Sequence, residues 1–182
     1  MFELTMHNLG QDGHLHEKDF LDRVRSLTSL GKPVLVSNFF LFYRLKKFLR
    51  YYTQKPIVMI MSAFHLERVF TERHYQDLDG GLLEGLGKLL DDQTRLYVYP
   101  HKTEQACMTT KTFFPEKKWL PIYQYFIAQQ QIKDISGCNE IDEYMHSDYV
   151  RELILKKDKR WENCVPDTVK NQIIKENLFN FF

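Results

Sequence analysis

The sequence predicts an α/β fold: a three-layer, Rossmann-like arrangement in which a short parallel sheet of three to four strands is flanked by helices and followed by a C-terminal helical extension. Short apolar runs recur at Pro33–Val36, Ile57–Met61 and Leu96–Tyr99. Between them lie segments with apolar residues at three- and four-residue steps, the spacing of helices that bury one face. The runs are continuous, as in strands covered on both faces, and a parallel neighbour is reached only through a crossover, which is almost always right-handed.

The elements follow in order. Residues 1–16 are polar and contain Gly10 and Gly13, so they read as a flexible lead-in or the end of a linker. Phe20, Leu21, Val24, Leu27 and Leu30 fall on one face of a helix that Gly31 ends. The strand at 33–36 runs into Ser37 and Asn38, both helix-capping types, and a helix over Phe39–Tyr52. Lys55 and Pro56 break that helix before the strand at 57–61, and Ser62 then opens a helical segment containing Leu66, Val69 and Phe70. A helix from about Gly80 to Leu90 leads through Asp91 and Asp92 into the strand at 96–99, which Pro100 closes. Residues 101–118 are polar and read as a long loop, with the character of a mobile lid. Trp119–Gln131 reads as a helix, Ile132–Ile135 as a fourth strand, and Ile141–Lys156 and Pro166–Asn177 as two further helices, with Pro166 at a tolerated first-turn position. The expected organisation is a lead-in over 1–16, one α/β domain over 17–135, and C-terminal helices over 136–182 packed on that same domain.

Composition narrows the class. At 182 residues the chain fits one domain, and 43% hydrophobic residues are enough for a packed core and exclude a disordered chain. With 25 basic and 24 acidic residues there is no net field of the kind that holds a protein on nucleic acid or anionic lipid. Cys107, Cys138 and Cys164 are odd in number and widely spaced, poor material for a disulfide framework or a zinc site, which points to a reducing compartment. No signal-type segment and no apolar run of membrane-spanning length is visible. A cytoplasmic location, with no membrane and no nucleic-acid partner, is the expectation.

Ligands of open parallel sheets bind beyond the carboxyl ends of the strands. Here that rim holds Ser37 and Asn38, then Ser62 to His65, then Tyr99 to His101. Ser37, Asn38 and Ser62 are suited to donate to a phosphate, and equally to cap helices. His65 and His101 titrate near neutral pH and follow predicted strands. The segment from Asp77 to Gly87 is the most distinctive, with four glycines and three carboxylates in eleven residues. It is neither a Walker loop nor a Rossmann fingerprint, and Asp79 would repel an anion at that helix start. Asp79, Gly80, Gly81 and Glu84 are therefore candidates for ribose hydroxyls or Mg²⁺; the competing reading is that Gly81 and Gly85 allow close helix packing and Asp79 caps the helix. No metal centre and no covalent nucleophile is identified, since paired Cys/His spacing and a Gly-x-Ser-x-Gly elbow are both missing.

Pro33-Val-Leu-Val-Ser-Asn-Phe-Phe40, Tyr43-Arg-Leu45, Asp79-Gly-Gly-Leu-Leu-Glu84, Leu96-Tyr-Val-Tyr-Pro100, Trp161-Glu162, Val165-Pro166 and Leu178-Phe179 occur in this order over roughly residues 20–182. Together they resemble the C-terminal region of a group of larger bacterial proteins labelled nicotinate- or nicotinamide-nucleotide adenylyltransferases. The resemblance implies a Rossmann-like architecture, nucleotide chemistry and an N-terminal region present in the longer relatives. It brings no catalytic set, because Asp12-Gly-His14 precedes the first predicted strand and Ile135-Ser-Gly-Cys138 lacks a continuation toward Arg. Two functions follow as expectations: a nucleotide- or mononucleotide-binding domain of an adenylyltransferase-like protein, with Mg²⁺ as an accompanying ion, or a non-catalytic interaction or assembly domain. The apolar tail Leu178–Phe182 reads as docking on its own domain, contacting the N-terminal region, or mediating self-association.

Overall fold

The computed structural model describes residues 1–6, 17–103, 105–138 and 147–180. In chain order its elements are β1 (Phe2–Thr5), α1 (Glu17–Thr28), β2 (Val34–Ser37), α2 (Phe42–Arg50), β3 (Ile57–Ser62), α3 (Phe64–Phe70), α4 (Gly81–Leu89), β4 (Thr94–Tyr99), β5 (His101–Lys102), β6 (Cys107–Met108), α5 (Leu120–Ala128), β7 (Ile132–Asp134), α6 (Ser147–Leu155) and α7 (Asp167–Glu176). Short 3₁₀ turns cover Glu72–Tyr75, Lys117–Trp119, Lys159–Asn163 and Leu178–Asn180. The chain is mixed α/β with small parallel sheets. It divides into two compact units, one formed by Met1–Phe40 with Met145–Phe182, the other by Leu41–Tyr144.

In the first unit β1 and β2 pair in parallel, from Phe2 opposite Val34 to Thr5 opposite Ser37. This corrects the lead-in expected over 1–16: Phe2 and Leu4 alternate with Glu3 and Thr5, a period-two pattern too short to stand out in the sequence. Residues 7–16 lie outside the described residues. The run at Val34–Ser37 pairs with β1, while β3, β4 and β7 form a separate sheet, so the three apolar runs do not share one sheet. The core of this unit is a cluster of Leu153, Ile154, Trp161, Val169, Ile173 and Leu178, with Trp161 wholly buried. Asn177 turns the chain out of α7 in the left-handed region (φ 49°), which brings Leu178 into the core. The next residue ties back to α1, where the Phe179 N–H donates to Asp22 Oδ2 at 2.7 Å. The tail therefore docks on its own chain through Leu178; Phe181 and Phe182 lie outside the described residues. The C-terminal helices complete the unit of β1 and β2, in place of the expected packing on a single 17–135 domain.

In the second unit β3, β4 and β7 form a parallel sheet in that order, with Met59, Leu96 and Ile132 in one row and Ile60, Tyr97 and Lys133 in the next. Met59, Met61, Leu96, Val98 and Ile132 are buried, whereas Val58 and Ile60 on the opposite side are 45% and 66% exposed. This departs from the sheet covered on both faces that the continuous apolar runs predict: a run of apolar residues marks a strand without saying how many of its faces are buried. The covered side packs closely. At Gly85 a Cβ would stand 2.0 Å from Tyr75 Cδ1, so only glycine lets α4 approach the Tyr75 ring.

The start of the sheet is held by a polar network. Lys46, buried on α2, donates to the Lys88 carbonyl at 2.8 Å and to Asp91 Oδ2 at 2.6 Å. Arg50 donates to the carbonyls of Lys55 and Gln93, and Gln131 Nε2 donates to the Asp91 carbonyl. Burial raises the Asp91 pKa, but the hydrogen bonds from Lys46, Thr94 and the Gln93 N–H outweigh it and hold the carboxyl at about 2. Lys46 and Arg50 of α2 are thus engaged in the fold.

Residues 101–118, expected as a loop, carry the antiparallel pair β5–β6, with His101 opposite Met108 and Lys102 opposite Cys107. Strands of two residues have no periodicity for a sequence reading to detect. Cys107 is disulfide-bonded to Cys138, which corrects the expectation of three reduced cysteines: sequence spacing does not report the spatial approach that permits a bond. Cys164 is the free thiol. Among the described residues no helix is long and apolar enough to cross a membrane.

Candidate functional site

The carboxyl end of the second unit's sheet is assembled from the residues that follow β3 and β4. The Ala63 N–H donates to the Tyr99 carbonyl at 2.9 Å, extending the β3–β4 ladder one step beyond its last pair. There the Ser62 hydroxyl accepts, at 3.4 Å, the N–H of Phe64, and burial pushes the neighbouring Tyr99 phenol up. α3 begins at once, presenting Phe64, His65 and, one turn further, Arg68. β5 begins two residues after Tyr99 and supplies His101.

Rings bring these groups together. The Phe64 ring centroid lies 5.2 Å from that of His101 and 5.8 Å from that of His65, and Phe42 meets His65 edge-on at 6.2 Å. Phe64 is 52% exposed and Tyr99 43%, so aromatic faces are open to solvent beside the imidazoles. His65 Nδ1 is buried and has no hydrogen-bond partner among the described residues. Burial, then the Arg68 guanidinium, then His101 push the His65 pKa below the ordinary histidine value. Burial also lowers Arg68. His74 is lowered by burial, Arg73 and Arg68. Burial first, and the neighbouring basic groups second, thus keep His65 toward its neutral form at this end of the sheet.

Of the residues singled out in the sequence, Ser62, His65 and His101 come together here. Arg68 was not foreseen; its position three residues after His65 on a helix is the signal that places both on one face. Ser37 and Asn38 belong to the first unit. There Ser37 donates to Glu3 Oε1 at 2.5 Å and accepts the Phe39 N–H at 3.1 Å, so its hydroxyl is engaged in the fold, and Asn38 is exposed. Asp79, Gly80, Gly81 and Glu84 form the start of α4. Glu84 accepts the Gly80 N–H at 2.8 Å and pairs with Lys88, and these contacts hold its pKa below the usual range, the Lys88 bond first. Capping comes from Glu84 and not from the exposed Asp79. Gly81 is needed for its positive φ of 54°, and Gly85, not Gly81, makes the close approach. Among the described residues no three His, Cys, Asp or Glu side chains gather as a metal site.

No protein-family model, no curated protein and no solved structure matches the chain.

Proposed function

We propose that the second unit binds a phosphate-bearing small molecule, a nucleotide or mononucleotide, at the carboxyl end of the β3–β4–β7 sheet. One observation carries this reading: Ser62, Phe64, His65 and His101 gather at that end, and the buried His65 Nδ1 has no hydrogen-bond partner among the described residues. Ser62 is placed to donate to a phosphate oxygen, and the exposed Phe64 offers a face on which a base can stack. The sequence resemblance to nucleotide adenylyltransferases accords with the ligand class. No general base is assigned, so the proposal is binding, with adenylyl transfer belonging to a larger assembly of residues.

Thermal shift of the full chain with ATP, nicotinamide mononucleotide, nicotinate mononucleotide and NAD, each with and without Mg²⁺, tests it. A bound ligand at 100 times its Kd adds about 2.7 kcal/mol of stability. The expected result is a shift with at least one of these, abolished by Arg68→Gln. No shift with any of them ends the proposal.

A second reading has its own observation. Val58 and Ile60 leave an apolar strip on the open side of the sheet, and Gly85 is buried, features of an interaction module. Sedimentation of the wild type against Ile60→Lys separates the readings, since only an interaction module loses an assembled state.

A further inference from the structure

We propose that β3 is the pairing edge of a homodimer, in which two copies of the chain join their β3 strands antiparallel about a two-fold axis at Met59 and make one continuous sheet. The proposal rests on the interaction-module reading given above and names its partner. β3 is an edge strand, since the sheet runs β3, β4, β7. The Ile57 N–H donates to the Gln93 carbonyl and the Ala63 N–H to the Tyr99 carbonyl, both toward β4. Backbone direction alternates along a strand, so Met59 and Met61 also face β4, while Val58 and Ile60 turn their N–H and C=O to the outer edge. Those outward groups have no hydrogen-bond partner among the described residues, and both side chains are exposed.

What the edge carries selects a second copy as its occupant. Sheet edges are ordinarily guarded by a charge, a proline, a bulge or shortness of the strand. β7, the opposite edge, is three residues long and includes Lys133 and Asp134. β3 is six residues long, Ile57-Val-Met-Ile-Met-Ser62, with no charge or proline and with an unbroken register against β4. A strand that pairs with this edge has to be uncharged and apolar, and β3 itself meets that requirement.

The antiparallel register centred on Met59 sets Val58 opposite Ile60 of the second copy and Ile57 opposite Met61 of the second copy, so these pairs are apolar throughout and the outward residues exchange backbone bonds. The nearest charge along the chain, Lys55, falls opposite Ala63 of the second copy. The two copies of Lys55 then stand about 27 Å apart at about 3.4 Å per residue, well beyond a screening length of about 8 Å, and do not repel. Pro56, which has no N–H to offer, closes the ladder just outside the strand. One strand from each copy is a small interface, so the dimer is weak and forms with rising concentration.

Sedimentation and NMR-detected hydrogen exchange of the full chain test this over a concentration series reaching about 1 mM. The expected result is a monomer–dimer equilibrium in which the Val58 and Ile60 amides exchange about tenfold more slowly once the chain is mostly paired, while Met59 and Met61, already bonded to β4, do not change. Val58→Pro removes an outward N–H and no bond to β4, and should leave a folded monomer. Met59→Cys with Cys164→Ser should cross-link under mild oxidation, because a non-hydrogen-bonded pair on the axis has Cα atoms about 4.5 Å apart; Ile60→Cys in the same background should not, its two copies being about 8 Å apart. A monomer at every concentration overturns this proposal and the interaction reading together. A dimer that survives Val58→Pro but is lost in Ile60→Lys overturns edge pairing and leaves an interaction module acting through the open face. Should Val58→Pro fail to fold by circular dichroism, the cross-link decides, and its absence at Met59→Cys overturns the proposal.

Discussion

At one end of the β3–β4–β7 sheet, Lys46 is buried but meets the Asp91 carboxylate and the Lys88 carbonyl; at the other, His65 is partly buried and meets Arg68 and His101. Both ends withdraw basic groups from water, and at the first the countercharge is the Asp91 carboxylate. A buried group whose partners are all present is structural, because removing any of them costs stability. A buried group pressed against its like is held by the rest of the fold at some expense, and such expense is usually kept where a ligand will relieve it.

The largest effect should come from breaking the satisfied end. Asp91→Ala leaves the Lys46 ammonium with one carbonyl, and stability in urea should fall by about 2 kcal/mol, the scale of a hydrogen bond to a charged group, with ATP affinity unchanged. Equal loss of affinity would mean the two ends are not separate devices. At the repelling end, Arg68→Gln should weaken ATP about tenfold, which is about 1.4 kcal/mol, while stability in the absence of ligand holds or rises. A drop in stability there would show that Arg68 is structural, erasing the contrast.

pH separates the ends more finely. His65 is held below the ordinary histidine value of about 6.5, so between that value and its lower folded pKa the unfolded chain binds the proton more readily. Its contribution is complete above about pH 7 and declines as pH falls; His65→Gln should flatten that part of a stability profile, and in the wild type ATP should bind more tightly as pH drops over the same interval. Asp91 behaves with the same sign in a lower window. With its folded pKa at about 2, its contribution stands above about pH 4 and is lost as pH falls through 2, a step that Asp91→Asn should remove from the acid-unfolding curve.

How much of this was legible in the sequence depends on the physical range of each cause. β3 and β4 announced themselves because the apolar runs Ile57–Met61 and Leu96–Tyr99 are local properties of the sequence. β1 did not, since Phe-Glu-Leu-Thr alternates over too few residues, and its strand exists only because β2 offers an edge 32 residues away. Gly85 was correctly suspected of close packing, but its partner Tyr75 could not be named. The histidines after the strands were found by topology, whereas the cationic crowding that gives them meaning required Arg68 to be placed on the same helix face. Ser37 looked like a ligand donor until Glu3 stood beside it.

The division of the chain into a discontinuous first unit and a continuous second unit has a consequence for biosynthesis. Leu41–Tyr144 is continuous, and everything its sheet needs has been translated by the time Asp134 is joined. The first unit cannot close until Leu178 is available to seal the space around Trp161 and Phe179 to reach Asp22. On the ribosome, then, β1 and α1 wait, unpaired with the helices that complete their unit, while the second unit folds; that waiting interval is when this polypeptide has most need of a chaperone.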